Sequence, residues 1–259
     1  MKLMTSPLII RSASEMAAWR KSQSVFAKKI GFVPTMGALH QGHESLMKKS
    51  RELNELSVLS IFVNPTQFND PSDFEKYPIT WESDQKIAEK NKVDVVFVPT
   101  YFELYPDQYR YKISESELSL DLCGHNRPGH FDGVLTVVMK LLNLVRPHQA
   151  FFGEKDFQQL ELIRGMARAF FLECEILAVP TLREFDGLAM SSRNTRLTEA
   201  ERERAPLINH IISGATSAEE ATRLLTEKKF KVDYLKDIGN RRFVAAHLGE
   251  VRLIDNVRI

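Results

Sequence analysis

The chain has 259 residues, with 35 Lys and Arg against 34 Asp and Glu, which gives a formal net charge of +1 at pH 7. This balance argues against a protein that wraps nucleic acid, because such proteins usually carry a marked basic excess. Hydrophobic residues at 43% and charged residues at 27% are ordinary for a globular chain and exclude wholesale disorder. The length fits one large domain, or a main domain with a smaller companion.

The N-terminus and the two cysteines bear on the compartment. The first apolar run is cut by Pro7 and ended by Arg11, so we expect neither a signal peptide nor a membrane span. Cys123 and Cys174 lie far apart and neither belongs to a CxxC pair, so zinc and a disulfide framework are both poorly supported. We therefore expect free thiols, a cytoplasmic location, and no nucleic-acid or membrane partner.

Strand-like and helix-like segments alternate over the first two-thirds of the chain. Candidate strands rich in Val, Ile and Phe lie at residues 30–33, 57–63, 93–98, 149–152 and 175–179. Helical patterns lie at roughly 14–28, 43–55, 80–91, 133–145 and 156–172. Short apolar strands separated by helices of this length predict an α/β fold, with a parallel sheet covered by helices on both faces.

The pattern changes after about residue 186. Two polar-faced helical segments, at 198–213 and 217–229, precede three short strands at 231–238, 242–248 and 250–259. Helices followed by an antiparallel meander are typical of an α+β unit. We therefore expect a boundary near residues 180–186, which divides the chain into a main domain (1–182) and a smaller C-terminal domain (183–259).

The first loop expected at the carboxyl edge of the sheet, where parallel sheets bind ligands, ends in His40-Gln41-Gly42-His43. A helix start there offers unpaired N–H groups and a partial positive charge, which suit phosphate. The two histidines are three residues apart and face the same way. They can donate hydrogen bonds to phosphoryl oxygens or supply a proton to a leaving group. The alternative is a metal pair or chance surface residues, but neither a third zinc ligand nor an HExxH spacing accompanies them.

Two further loops carry groups that suit a nucleotide. Residues 153–156 read Gly-Glu-Lys-Asp, and Lys155 suits a triphosphate while Asp156 can accept from a ribose hydroxyl or hold Mg²⁺ through water. The alternative role for Asp156 is a helix N-cap. Residues 191–193 read Ser-Ser-Arg and make a phosphate clamp, or else a loop with a helix cap.

Two more motifs complete the set. Asn64 and Gln67 place amides at a strand end, and amides recognise carboxylates and hydroxyls better than phosphates. The segment Arg127-Pro128-Gly129-His130-Phe131 is another loop that opens a helix.

The five segments PTMGALHxGH, FVNPxQF, RPGHFxGVxTVVxKL, FGEKDFQQL and DGLAMSSRN, in this order, resemble the pantoate–β-alanine ligase family of the HxGH nucleotidyltransferase superfamily. The resemblance reaches RLIDN near the C-terminus. It implies a Rossmann-like ATP-binding domain, a small C-terminal lid domain and a homodimer. It also implies a Mg²⁺-dependent condensation of pantoate with β-alanine through a pantoyl adenylate, with release of AMP and pyrophosphate. The C-terminal part looks shorter than is usual in the family.

The resemblance implies a role for each matched position around ATP. His43 is implied as the proton donor, with His40 and Lys155 as further catalytic residues. The implied ATP site consists of Met36, Gly37, Ala38, Leu39, His40, Gln41, Gly42, His43, Gly153, Glu154, Lys155, Asp156, Leu182, Met190, Ser191, Ser192 and Arg193.

The resemblance also implies the substrate and metal positions. Gln67 and Gln159 are implied to hold pantoate, and Gln67 with Asn64 to hold β-alanine. Glu82 and Asp84 both align only loosely with acids that approach the metal in some relatives, and Asp84 is taken as the candidate metal ligand. Mg²⁺ itself is expected to be held mainly by the ATP phosphates.

Two other classes stay open. A nucleotidyltransferase that moves AMP or CMP onto a phosphate substrate would share the histidine motif, but its phosphate would suit Arg or Lys better than Gln67 and Gln159. A non-catalytic RNA-binding relative of the tRNA synthetases is opposed by the balanced charge and by the lack of an appended basic segment.

Overall fold

The computed structural model describes residues 6–24 and 28–259 of the chain, and its strands and helices alternate up to residue 179. The strands are β1 (Leu8–Ile10), β2 (Ile30–Thr35), β3 (Leu56–Ile61), β4 (Val95–Phe97), β5 (Gln149–Gly153), β6 (Glu175–Val179), β7 (Lys231–Ile238), β8 (Arg241–Leu248) and β9 (Val251–Arg258). The helices are α1 (Ala13–Ser24), α2 (Gln41–Leu53), α3 (Pro71–Glu75), α4 (Trp81–Lys90), α5 (Tyr101–Leu104), α6 (Cys123–Asn126), α7 (His130–Val145), α8 (Phe157–Ala169), α9 (Glu199–Arg204), α10 (Leu207–Gly214) and α11 (Ala218–Glu227). Short 3₁₀ turns lie at Pro65–Gln67, Leu118–Leu120, Glu154–Asp156 and Ser192–Arg196.

The first six strands form one sheet in the order β1-β4-β3-β2-β5-β6, and every pair in it is parallel. Successive residues of a strand point to opposite faces, and both faces of this sheet are apolar. Phe32 and Val58 pack into one hydrophobic cluster with residues of α1, α7 and α8. Val33 and Leu59 pack into a second cluster with residues of α2 and α4. The predicted parallel α/β sheet, covered on both faces, is confirmed.

The C-terminal part forms a separate antiparallel sheet in the order β7-β8-β9. Helices α10 and α11 pack against it around a third hydrophobic cluster, which includes Ile208, Leu225 and Val244. The predicted α+β unit is therefore confirmed as a fold.

Several predicted boundaries differ from the observed ones. The helix predicted at 198–213 is two helices, because Pro206 has no N–H to donate and separates α9 from α10. Strand β1 has only three residues and was not predicted. The helix predicted at 14–28 corresponds to α1, and residues 25–27 of the prediction lie outside the described residues. Residues 1–5, where we expected no signal peptide, also lie outside them.

Two further features concern the cysteines and the helices. Cys123 and Cys174 are both free. Among the described residues, none of the helices has the length and apolar character that a membrane crossing requires.

Candidate active site

The candidate site lies where β2 and β5 run side by side. From β2 the chain builds the sheet outward through β3 and β4, and it then returns to place β5 and β6 on the other side of β2. The loops after β2 and β5 diverge at this reversal, which opens a crevice at the carboxyl ends of the strands. A cavity of about 230 Å³ occupies it. The predicted site residues that line it are Met36, His40, Gly42, His43, Asn64, Gln67, Gly153, Lys155, Asp156, Gln159, Leu182, Met190, Ser191, Ser192 and Arg193.

The two histidines begin α2 and cap it with their own rings. His40 is the N-cap residue, and its Nδ1 accepts the backbone N–H of Gly42 at 3.1 Å. His43 Nδ1 accepts the backbone N–H of His40 at 3.3 Å. This pattern is a capping box in which imidazole nitrogens replace the usual hydroxyl and carboxylate. A ring that accepts through Nδ1 carries its proton on Nε2, so each histidine retains one N–H donor for the cavity that both rings line.

Both imidazoles are neutral at physiological pH. Burial, followed by the positive charge of Lys155, lowers the pKa of His40 to about 4. Burial, followed by the neighbouring His40 and by Lys155, lowers the pKa of His43 to about 3. The ring centroids are 4.1 Å apart, so a charge on one ring would disfavour a charge on the other. The pair is therefore a source of two neutral hydrogen-bond donors.

The position of the His40 ring requires a glycine between the two histidines. A Cβ atom on Gly42 would lie 2.8 Å from Cε1 and 2.9 Å from Nδ1 of His40. Any larger residue would push the ring off the helix start and break the cap. The HxGH spacing thus reflects the ring position as well as the approach of a ligand.

Asp84 supports the loop before the histidines from α4. Its side chain is 1% exposed, and its two oxygens accept the backbone N–H groups of Ala38 at 3.0 Å and Leu39 at 2.8 Å. Thr80 donates its hydroxyl to the same carboxylate at 3.0 Å. Ala38 has a φ of 49°, a left-handed conformation that persists only where the surroundings impose it. Asp84 thus fixes the loop that leads to the histidines.

The amides predicted to hold the organic substrates form one network. Asn64 is 1% exposed and donates Nδ2–H to Gln67 Oε1 at 3.0 Å, while Tyr105 donates its hydroxyl to Asn64 Oδ1 at 2.9 Å. Gln67 Nε2 lies 3.2 Å from the sulfur of Met36. Asn64 therefore positions the Gln67 amide, and both residues line the cavity, as does Gln159.

Side chains of the Arg-Pro-Gly-His segment bind the main-chain carbonyl of Gln67. This role was not predicted from the sequence. His130 Nδ1 donates to the Gln67 carbonyl at 2.7 Å, and Arg127 Nη2 donates to the same oxygen at 3.1 Å. Arg127 Nη1 also lies 3.1 Å from His130 Nε2, which accepts because Nδ1 carries the proton. Gly133 allows α7 to pack against the turn, since a Cβ there would lie 2.3 Å from the Thr66 carbonyl oxygen.

The cationic side chains at the cavity are paired with carboxylates. Lys155 Nζ lies 3.1 Å from Asp156 Oδ2, and Arg193 Nη2 lies 2.8 Å from Asp73 Oδ2. Burial raises the pKa of Asp156, but the Lys155 charge, the Lys155 hydrogen bond and the Arg193 charge together leave that pKa below its ordinary value. Ser191 accepts the backbone N–H of Arg193 at 3.2 Å and so caps the 3₁₀ turn, as the alternative interpretation of this loop expected.

One wall of the cavity is apolar and was not predicted as part of the site. It consists of Pro34, Phe62, Val134, Val137, Val138, Leu141 and Phe152. Four of these residues recur along α7 at helical spacing. The sequence predicted the α7 residues only as part of a helix, and its pattern does not distinguish a core face from a cavity face.

Some predicted site residues do not line the cavity. Gly37, Ala38 and Leu39 lie in the loop beneath it, and Leu39 packs into the second hydrophobic cluster. Gln41 is exposed at the start of α2, and the Glu154 side chain approaches Arg241, with 3.8 Å between the ionic atoms. Their assignment to ATP stays a prediction.

The residues present do not form a protein cage for a metal. Within residues 6–24 and 28–259, no group of three or more His, Cys, Asp or Glu side chains is arranged to hold a metal ion. Asp84 is engaged by backbone N–H groups, and Glu82 is exposed on α4. This fits Mg²⁺, which keeps several waters and is usually held by substrate phosphates with one or two carboxylates. The assignment of Asp84 as a ligand stays a prediction.

Fold and site together define a class. A parallel α/β sheet carries a histidine pair at a helix start, with a lysine, a serine pair, an arginine and several amides around the same cavity. The first group suits phosphates and the second suits a carboxylate or hydroxyls. This is the arrangement of an α/β enzyme that transfers a nucleotidyl group to an organic acid.

Comparison with known proteins identifies the family. The pantoate–β-alanine ligase family model matches residues 8–258. The pantothenate synthetase of Bdellovibrio bacteriovorus is 62% identical over 251 residues, covering 97% of this chain and 99% of that protein. The pantothenate synthetase of Coxiella burnetii is 48% identical, covering 96% of each chain. The chain therefore belongs to the pantoate–β-alanine ligase family.

Solved structures agree with this assignment. The pantoate–β-alanine ligase of Francisella tularensis, crystallised with β-γ ATP and β-alanine, has a TM-score of 0.93 and 42% identity, covering 97% of each chain. The pantothenate synthetase of Thermus thermophilus has a TM-score of 0.87 and 36% identity, covering 97% of this chain and 99% of that one. These matches extend over nearly the whole of each chain, the C-terminal part included.

Proposed function

We propose that the cavity at the carboxyl ends of β2 and β5 condenses pantoate with β-alanine at the expense of ATP. Membership of the family makes the chain an AMP-forming pantoate–β-alanine ligase. The observation that carries the site assignment is convergence. Residues of all five motif segments, which are far apart in the sequence, line this one cavity.

ATP binds along the start of α2 and the loops after β5 and β6. The helix start and the Nε2–H groups of His40 and His43 donate hydrogen bonds to phosphate oxygens. Lys155 and the turn at 191–193 contribute positive charge and hydroxyls as negative charge accumulates on the leaving pyrophosphate. The neutral state of His43 in the unliganded protein favours hydrogen-bond donation over the proton transfer that the resemblance implied.

Pantoate binds between the amides and the apolar wall. Gln67 and Gln159 hold its carboxylate and hydroxyls, and its two geminal methyl groups pack against Val138, Leu141 and Phe152. A carboxylate oxygen then attacks the α-phosphorus, which forms the P–O bond of pantoyl adenylate as the bond to pyrophosphate breaks. Holding both reactants in one cavity removes much of the entropic cost of this bimolecular step.

β-Alanine enters through a second cavity, of about 420 Å³, that adjoins the first and shares Lys155, Gln159 and Arg193 with it. Arg127 lines this second cavity, and no carboxylate of the described residues lies within ion-pair distance of its guanidinium. Burial, followed by the charges of Arg193 and Arg252, lowers the pKa of Arg127 to about 10, so it stays protonated. We assign the carboxylate of β-alanine to Arg127, while the amine attacks the acyl carbon near Gln67 and releases AMP.

Other parts of the assignment are proposals of the same kind. Mg²⁺, carried by the ATP phosphates, neutralises their charge. The division into domains at 182–183 is supported by the separate hydrophobic cluster of the C-terminal part. The homodimer rests on the resemblance, and the cytoplasmic location rests on the two isolated cysteines. Sedimentation of the purified protein would test the dimer.

Exchange of labelled pyrophosphate into ATP tests the function. We expect exchange that requires pantoate and needs no β-alanine, and addition of β-alanine then yields AMP and amide in equal amounts. Exchange without pantoate, or exchange that requires an acceptor phosphate, would indicate a nucleotidyltransferase of another kind. Formation of ADP would exclude the adenylate.

A further inference from the structure

Two adjacent residues of β9, Asp255 and Asn256, reach from the C-terminal sheet to the loops of the proposed ATP site. Both are buried, at 2% and 4% exposure. Asn256 Nδ2 donates one hydrogen bond to the Glu154 carbonyl at 2.9 Å and another to the Lys155 carbonyl at 3.0 Å. Both protons of the amide are therefore used on consecutive carbonyls of one loop.

The oxygen of the same amide is also engaged. Asn256 Oδ1 accepts from Arg241 Nη1 on β8, and the Arg241 guanidinium stacks on the ring of Phe157, 4.0 Å from its centroid. Arg241 is itself 7% exposed. Because an arginine can only donate, it forces the Asn256 oxygen toward itself and the amide protons toward the loop.

The two carbonyls flank the α-carbon of Lys155. The Glu154 carbonyl belongs to the peptide plane before Lys155, and the Lys155 carbonyl belongs to the plane after it. Peptide planes are rigid, so fixing both planes fixes φ and ψ of Lys155 and hence the direction of its side chain. Asn256 thus determines the direction of the Lys155 side chain. Its amide protons do this by binding the loop backbone and not by contacting a ligand in the cavity.

Asp255 holds the loop that follows β6, through the side chain of Arg183. It accepts from Arg183 Nη1 at 2.6 Å and from Nη2 at 2.9 Å, and Arg183 also donates to the Gly187 carbonyl at 3.1 Å. Arg183 forms a bridge with Ala189, immediately before Met190 of the cavity wall. Neighbouring residues of one strand therefore hold the two loops that carry Lys155 and the 191–193 turn.

We propose that Asn256 is a positioning residue for Lys155, and that the C-terminal sheet is in this way a structural part of the ATP site. The inference rests on the proposed function only in that Lys155 contacts the triphosphate. A purely structural role for Asn256 would affect folding stability alone, whereas a positioning role affects ATP affinity through Lys155.

The principal variant is Asn256→Asp, which keeps the shape and the acceptor for Arg241 but turns an oxygen toward the two carbonyls. We expect its affinity for a non-hydrolysable ATP analogue, measured by calorimetry, to fall at least tenfold and by up to about 10²-fold, the loss that a small misplacement of a reactive group produces. Its affinity for pantoate should change less than threefold, roughly the limit within which distant sites stay independent.

Two control variants in the same sheet separate positioning from general damage. Asp237→Asn breaks the pairing of Asp237 with Arg242, at 2.7 and 2.8 Å, and should lower the melting temperature while leaving ATP affinity unchanged. Asn240→Asp, in the exposed turn between β7 and β8, introduces the same charge change as the principal variant. It should alter neither property.

A double-mutant cycle with Lys155→Ala gives the decisive readout. If Asn256 acts through Lys155, the Asn256→Asp change should cost less than twofold in analogue affinity once the lysine is gone, a strongly non-additive result. Equal losses in both backgrounds, or an unchanged affinity in Asn256→Asp, would overturn the inference. If Asn256→Asp does not fold, Asn256→Ala takes its place in the same cycle. Wild-type protein without pantoate-dependent exchange would instead refute the proposed function.

Discussion

The substitution Asp84→Asn separates two roles for one carboxylate. The resemblance to the family made Asp84 a candidate metal ligand, whereas the structure engages its oxygens with the N–H groups of Ala38 and Leu39 and with the hydroxyl of Thr80. A structural role predicts a loss of stability in the absence of metal. A metal role predicts a changed requirement for Mg²⁺ with little change in stability.

The expected magnitude follows from the geometry. Asparagine can keep one oxygen for Leu39 and Thr80, but its NH₂ group then faces the N–H of Ala38, so one charge-assisted hydrogen bond becomes a contact between two donors. Hydrogen bonds to charged groups are worth about 1.5–3 kcal/mol, so the free energy of unfolding should fall by about 2–3 kcal/mol. For a protein of this size, such a loss lowers the melting temperature by roughly 4–12 °C.

The melting temperature in EDTA tests the structural role of Asp84. The rate of pyrophosphate exchange as a function of Mg²⁺ concentration tests its role as a metal ligand. We expect the lower melting temperature in EDTA together with a raised KM for ATP, because the loop at Ala38 relaxes. Glu82→Gln, on an exposed position of the same helix, removes a nearby carboxylate as a control and should change neither property. An unchanged melting temperature with a tenfold higher Mg²⁺ requirement would refute the structural role and restore the metal assignment.

Further predictions concern the histidines, the amide and the arginine. His43→Ala should lower the exchange rate by about 10²–10³, whereas His43→Gln, which keeps a donor near the Nε2 position, should retain more of it; equal losses would favour proton transfer. The pKa values of His40 and His43 lie at about 4 and about 3, below the ordinary 6.5, so at pH values below about 6.5 the unfolded chain binds more protons than the folded chain. The free energy of unfolding, measured in urea, should therefore be highest above about pH 6.5 and should fall as the pH drops toward 4. The fall should be shallower in His43→Gln. Gln67→Ala should raise the KM for pantoate more than that for ATP, and an effect confined to ATP would contradict its role. Arg127→Gln should raise the KM for β-alanine at least tenfold with pantoate-dependent exchange retained, and an unchanged KM would remove Arg127 from the β-alanine site.

The parts of the site that were predictable from the sequence are those that local spacing determines. Gly42 and the two histidines fall within four residues, and their positions follow from the start of one helix after one strand. The alternation of short apolar strands with helices likewise predicts a parallel sheet, and a parallel sheet predicts which loops meet. The pattern could not identify β1, because three residues carry too little periodicity.

The supports of the site were not predictable, because they connect residues that are distant in sequence. Asp84 and Ala38 are 46 positions apart, and Asn256 and Lys155 are 101 positions apart. The composition of these residues gives no signal, since a buried acid on α4 and an amide on β9 look like ordinary polar positions. Asp84 and Asn256 become hydrogen-bond partners of loop backbones only because the fold brings α4 to the loop after β2 and β9 to the turn after β5.

The near-neutral charge of the chain has a counterpart within the site. Lys155 and Arg193 are each paired with an aspartate, so the cavity presents no large uncompensated positive charge. If the triphosphate binds Arg193 as proposed, we expect it to compete with Asp73, so that the pairing of Arg193 to α3 loosens. Arg127 differs, because its guanidinium is bonded only to the Gln67 carbonyl and His130 among the described residues. In the proposed assignment, the unpaired charge of the site thus lies on the β-alanine side, where the incoming group carries a single carboxylate. The paired charge lies on the proposed ATP side, where selectivity would come from hydrogen bonds whose geometry Asp84, Asn256 and the capping histidines hold in place.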